Sequence, residues 1–123
     1  MDYDKLYELV RSTEVKNGTI VRYHDVEFKI GIREFIKSTA SGYFVDNGHS
    51  GILISKEVPS DERKLCLLHE IVELCLIRFY GFRPFYEDSR AHDIALKHEE
   101  LYKKWLAEKE IYLGWADERD VGQ

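Results

Sequence analysis

The chain has 123 residues, enough for one hydrophobic core and hence one domain spanning 1–123. Apolar residues make up 44% and charged residues 33%, the balance of an ordinary globular protein rather than a fibrous or low-complexity one. With a net charge of −5 and no Lys/Arg cluster able to neutralise several phosphates, no nucleic-acid partner is expected.

Taken in order, Asp4 to Arg11 carries Leu6, Leu9 and Val10 at helical spacing, so a short amphipathic helix is expected there. Asn17-Gly18 is a turn signal, after which Thr19 to Tyr23 reads as a strand. His24-Asp25 turns the chain into Val26 to Ile32, whose even positions are apolar, the pattern of a half-buried hairpin strand. Over 33–51, Phe35 and Ile36 suggest core contact, and Ser41-Gly42 and Asp46-Asn47-Gly48 read as turns flanking a short Tyr43-Phe44-Val45 segment. Gly51 to Ser55 is a short strand closed by Val58-Pro59. Ser60 then reads as the N-cap of the main helix, which runs to about Phe79 and stops near Gly81. Phe82 to Phe85 is a connector. A last helix from Glu87 or Asp88 through Lys109 carries Ala91, Ile94, Ala95, Leu101, Trp105 and Leu106 as its core stripe, followed by a polar, frayed tail from about Trp115. The fold class expected is α+β, a small mixed sheet of three or four strands packed on two helices.

The longest apolar run, Leu65 to Ile77, is interrupted by His69, Glu70 and Glu73 and is too short to span a bilayer. No charged-then-apolar leader follows Met1, so a cytoplasmic location is expected, with no membrane partner. Cys66 and Cys75 sit nine residues apart on one expected helix, more than about 10 Å along its axis. They cannot pair, and small buried thiols in a reducing compartment account for them.

The interruption of that apolar run carries the chemistry. Burying an imidazole and two carboxylates costs several kcal/mol unless they are paired, hydrogen-bonded or bound to a metal. His69 and Glu73 are four residues apart and project from one helix face, with Glu70 on its adjacent edge. This is the layout of the HExxH zinc helix with glutamate in place of the second histidine. A third ligand must come from elsewhere, and the chain offers His92 and Glu99.

A strand, a Pro-containing turn, a helix bearing His-Glu-x-x-Glu and a second helix with further ligands form an order that resembles the zincin metallopeptidases. The likeness is nearest to their smallest members, the minigluzincins and the ImmA/IrrE-type peptidases. It covers residues 51–100 and is carried by the segment Leu53 to Lys64 ahead of Leu68-His69-Glu70 and by Ala91-His92-Asp93-Ile94-Ala95. The resemblance implies a minimal zincin-like domain that holds Zn2+ on His69, Glu73 and His92. The usual ligand types are permuted between the helices, which zinc accepts because imidazole and carboxylate bind it at similar distances. Glu70 is then the general base, and Glu99 an outer partner of a liganding imidazole or an alternative ligand. The strand edge at Ile52, Leu53 and Ile54 holds an extended peptide or protein substrate. Tyr86, His98 and His49 are unranked candidates for steadying the oxyanion.

Blander readings exist for each residue. His69 can be a satisfied core histidine, Glu70 and Glu73 can pair with Arg78, Lys64 or Arg83, and His92 can lie on the surface. The competing function is a non-catalytic module, zinc-bearing or metal-free, that binds partners through an exposed strand edge. A di-iron centre is disfavoured because no helix carries Glu-x-x-His. Nothing in the sequence reports oligomeric state.

Overall fold

The computed structural model describes residues 1–34, 40–46 and 48–121, with backbone alone for 46 and 110–121. Phe35 and Ile36 lie outside the described residues. The fold is α+β, with a four-stranded mixed sheet and three helices.

Helix α1 (Tyr3–Ser12) is capped by Asp2, whose carboxylate accepts the Lys5 N–H at 3.1 Å. Its buried residues are Leu6, Tyr7 and Val10. Strands β1 (Ile20–Tyr23) and β2 (Val26–Arg33) form the expected hairpin around His24 and Asp25, both left-handed at φ 53° and 62°. Along β2 the buried side chains are Val26, Phe28 and Ile30, the alternation legible in the sequence.

β3 (Ser41–Asp46) and β4 (His49–Ser55) form a second hairpin. Ser41-Gly42, expected as a turn, is instead the start of β3. Cross-strand pairing with Ile54 and Leu53 outweighs the turn preference of the two residues. The sheet order is β1-β2-β4-β3, with β2 and β4 parallel and the other pairs antiparallel. A Cβ at Gly51 on β4 would come within 2.1 Å of the Phe44 ring, so a larger residue there would have to displace that ring.

Helix α2 (Arg63–Tyr80) starts later than the sequence suggests, and Ser60 does not cap it. The Pro59 carbonyl accepts the N–H groups of Glu62 and Arg63 at 2.9 and 3.2 Å, so a turn serves the amides a cap serine would have taken. The helix ends as expected at Gly81, left-handed at φ 74°. Helix α3 (Arg90–Val121) starts just after Asp88, whose carboxylate takes the Arg90 N–H at 3.0 Å. Its backbone stays helical through the segment expected to fray. Leu101, placed in the core stripe by the sequence reading, is exposed, and Tyr102 is buried in its stead. A step of one residue turns a helix by about 100°, so 102 rather than 101 continues the line from Ala91 and Ala95.

One apolar cluster joins Phe28, Ile30, Ile52 and Ile54 of the sheet to Leu67, Leu68, Ile71, Val72 and Cys75 of α2. Among the described residues no helix is long and apolar enough to cross a membrane.

α1 is held against α3 by His98. The Tyr7 hydroxyl lies 2.6 Å from its Nδ1, and the Tyr3 ring stacks on it at 3.8 Å. Burial, with Lys97 adding to it, lowers the His98 pKa from 6.5. The neutral ring is therefore favoured in the folded state. Its stabilising effect is full above pH 6.5 and is lost as pH falls through the folded pKa. Thermal melts from pH 7 to 5 should show a smaller acid loss in His98→Asn, which cannot titrate, than in wild type. Parallel slopes would refute this.

Candidate metal centre

α2 is apolar on nearly every side because it fills the space between the sheet and α3, and that setting buries its polar residues too. His69, Glu70 and Glu73 are 8%, 4% and 4% exposed. His69 and Glu73 share one face by their spacing, and the first turn of α3 brings His92 over them. His69 Nε2 lies 3.0 Å from Glu73 Oε2 and 3.1 Å from His92 Nδ1, and His92 Nδ1 lies 3.5 Å from Glu73 Oε2.

These three atoms form a triangle that could hold a metal ion. Tetrahedral ligands at about 2.0–2.2 Å from a zinc stand about 3.3–3.6 Å apart, so the triangle needs to open by only a few tenths of an ångström. Two ring nitrogens face each other across 3.1 Å, and a proton between them serves only one pair of the three. The donor set fits a divalent cation that takes imidazole and carboxylate together.

Glu99 completes the arrangement from the far side of His69. Its Oε2 lies 2.8 Å from His69 Nδ1, which leaves Nε2 to face the triangle. A carboxylate behind a liganding imidazole fixes its tautomer and raises its basicity. Glu99 is thus placed behind His69, outside the triangle. Glu99→Gln should weaken metal affinity by about 10–100-fold, read by titration against a competing chelator. Unchanged affinity would remove that role.

The electrostatics follow from this geometry. Burial opposes an imidazolium at 69, yet hydrogen bonds to Glu73 and Glu99 outweigh it and lift the His69 pKa to about 10 in the metal-free chain. Burial also pushes Glu73 upward, but the His69 hydrogen bond outweighs it and holds that carboxyl below its usual range. Glu70 lacks such a partner. Burial lifts its pKa to about 7, against the pull of His69.

Glu70 stands beside the triangle. Its Oε2 accepts a hydrogen bond from the Ser41 hydroxyl at 3.2 Å. A cavity of about 550 Å³ opens here, lined by His69, Glu70, Glu73, His92 and Glu99, by Ser41, Gly42 and Tyr43 of β3, and by Cys66, Phe85 and Leu96. Burial pushes the Cys66 thiol up, which keeps it a neutral part of the wall. Lys64, Arg78 and Arg83 do not neutralise the site. Lys64 donates to the Arg11 carbonyl, Arg78 lies over Phe79 and Arg83 pairs with Glu87 at 3.4 Å.

Two sequence expectations do not survive. Ile52, Leu53 and Ile54 offer no free strand edge, because β4 is paired with β2 on one side and β3 on the other. Ile52 and Ile54 are core residues at 0% exposure. The outer edge near the site belongs to β3, at the end of the sheet order. The candidates for oxyanion support also fall away. His98 is engaged by α1, Tyr86 is 84% exposed, and neither these two nor His49 lines the cavity.

The structure instead brings in Ser41 and Tyr43, which the sequence reading passed over. Burial raises the Tyr43 pKa, and the carboxylates of Glu73 and Glu70 add to it. The signal was present: Asn47-Gly48 is a strong hairpin turn, and a strand ending there puts 41 and 43 on one face.

In comparisons with protein-family models, curated proteins and solved structures, nothing matched this chain.

Proposed function

We propose that this chain is a zinc-dependent metallopeptidase of zincin-like type that hydrolyses peptide bonds. The observation that carries the reading is Glu70, a buried carboxylate in the cavity beside the triangle of His69, Glu73 and His92 but outside it. A site built only to hold a metal has no need of this fourth polar group, and its burial costs stability. Hydrolysis needs a base there.

Zinc on the triangle supplies Lewis acidity and eases the deprotonation of water. Glu70 accepts the proton of the attacking water on its carboxylate and later hands it to the departing amine. Glu99 keeps His69 in the tautomer that directs Nε2 to the metal. An extended peptide adds to the outer edge of β3, with its side chains against the apolar wall of Phe85 and Leu96. The free thiols of Cys66 and Cys75 suit a reducing compartment such as the cytoplasm.

The second reading, a binding module, uses the same β3 edge and gives Glu70 no task. The two separate by experiment. A peptidase cleaves members of a peptide library, and a chelator stops it. A module retains peptides uncleaved. Iron in place of zinc on elemental analysis would redirect the two-histidine, one-carboxylate site to oxygen chemistry.

A further inference from the structure

β3 does two things at once. Within the β3–β4 pair the Ala40 carbonyl accepts the Ser55 N–H at 2.8 Å, and the register continues through Ser41↔Ile54 to Asp46↔His49 without a break. Hydrogen-bonded and non-hydrogen-bonded positions alternate along an antiparallel ladder. The backbone groups of Ala40, Gly42 and Phe44 therefore turn toward β4, and those of Ser41, Tyr43 and Val45 turn outward. No strand among the described residues pairs with that outer edge. The side chains of Ser41 and Tyr43 meanwhile line the cavity, and the Ser41 hydroxyl donates to Glu70 at 3.2 Å.

We infer that Ser41 is a positioning residue that couples occupation of the β3 edge to the orientation of Glu70. This rests on the peptidase reading and goes beyond it. A peptide strand on the outer edge bonds to the N–H and C=O of Ser41 itself and so fixes the backbone from which the hydroxyl is aimed. The hydroxyl then holds one carboxylate oxygen of Glu70 and leaves the other for the reacting water. Binding energy gathered along the peptide is spent on holding the base, which raises turnover rather than affinity. A peptide too short to engage Ser41 gains little of this.

The test uses the full chain loaded with zinc, with the longest and the shortest peptides that the wild type cleaves. Ser41→Ala should lower kcat about 10-fold or more on the long peptide, the loss expected when a hydrogen bond to a charged group is removed. KM and zinc content should stay level, and the short peptide should lose much less. Ser41→Thr, which restores a hydroxyl, should recover most of the rate. An equal loss on both peptides with a lowered melting temperature means that Ser41 is structural, and the coupling is overturned. Wild-type rates in Ser41→Ala overturn it too, while leaving the peptidase reading intact. A zinc-loaded wild type that cleaves nothing brings down the peptidase reading and the coupling with it.

Discussion

The purified chain should carry close to one zinc, and His69→Ala should carry none. His69 is the hub of the group: its Nε2 faces both Glu73 and His92, and its Nδ1 is held by Glu99. Without it two donors remain on separate helices, too few to hold the ion against a chelator. Zinc at a thousandfold excess over its dissociation constant stabilises a folded site by about 4 kcal/mol. For a domain of this size a chelator should then lower the melting temperature by on the order of 10 °C. His69→Ala should melt at one temperature with or without zinc. Elemental analysis and paired melts check both statements, and a wild type that takes up no metal on dialysis defeats them.

Glu70→Gln should keep its zinc and lose its activity. The amide preserves the shape of the side chain and can still accept from Ser41, but it cannot take a proton from water. Peptide hydrolysis should fall by about 10²–10⁴-fold, the usual worth of a general base. The stability of the metal-free chain should not fall. Without metal the folded pKa of Glu70 is raised to about 7, so the buried carboxyl is favourable below pH 4.5 and that advantage is lost as pH rises through 7. Above that range a neutral amide should be no worse than the carboxylate. Glu73→Gln should behave in the opposite sense, losing metal first because it removes the anionic member of the triangle. Equal turnover in Glu70→Gln and wild type would take the base away from Glu70.

Much of this architecture is legible before folding. The β2 alternation, the Gly81 stop and the polar break in the Leu65–Ile77 run each reflect a local rule of spacing or backbone geometry, and local rules survive into the structure. The approach of His92 to His69 follows from the packing of α3 over the apolar helix α2. What was hidden depends on pairing between distant segments. Nothing in Gly51 to Ser55 says that both of its edges are taken, since β2 and β3 reach it from different parts of the chain. Ser41-Gly42 has turn composition, and only its partners Ile54 and Leu53 make it strand. The error at Leu101 is of another kind. Leu101 and Tyr102 are both hydrophobic, and helical phase alone decides which one is covered.

The donors sit on either side of the connector 81–89, two on α2 and one on α3, with His69 and His92 separated by 23 positions. An ion bridging them acts as a staple. Closing a loop of that span withdraws about 3 kcal/mol of chain entropy from the denatured ensemble, by the arithmetic used for disulfides. Its influence on local opening should be sharper than on global melting. Peeling α3 from α2 is a partial unfolding that would bare the His69 face, and a staple opposes it while metal is bound. Amide hydrogen exchange in the middle of α2 should therefore slow from a sub-global to a global rate on metal loading, and a protease acting at the connector should lose its foothold.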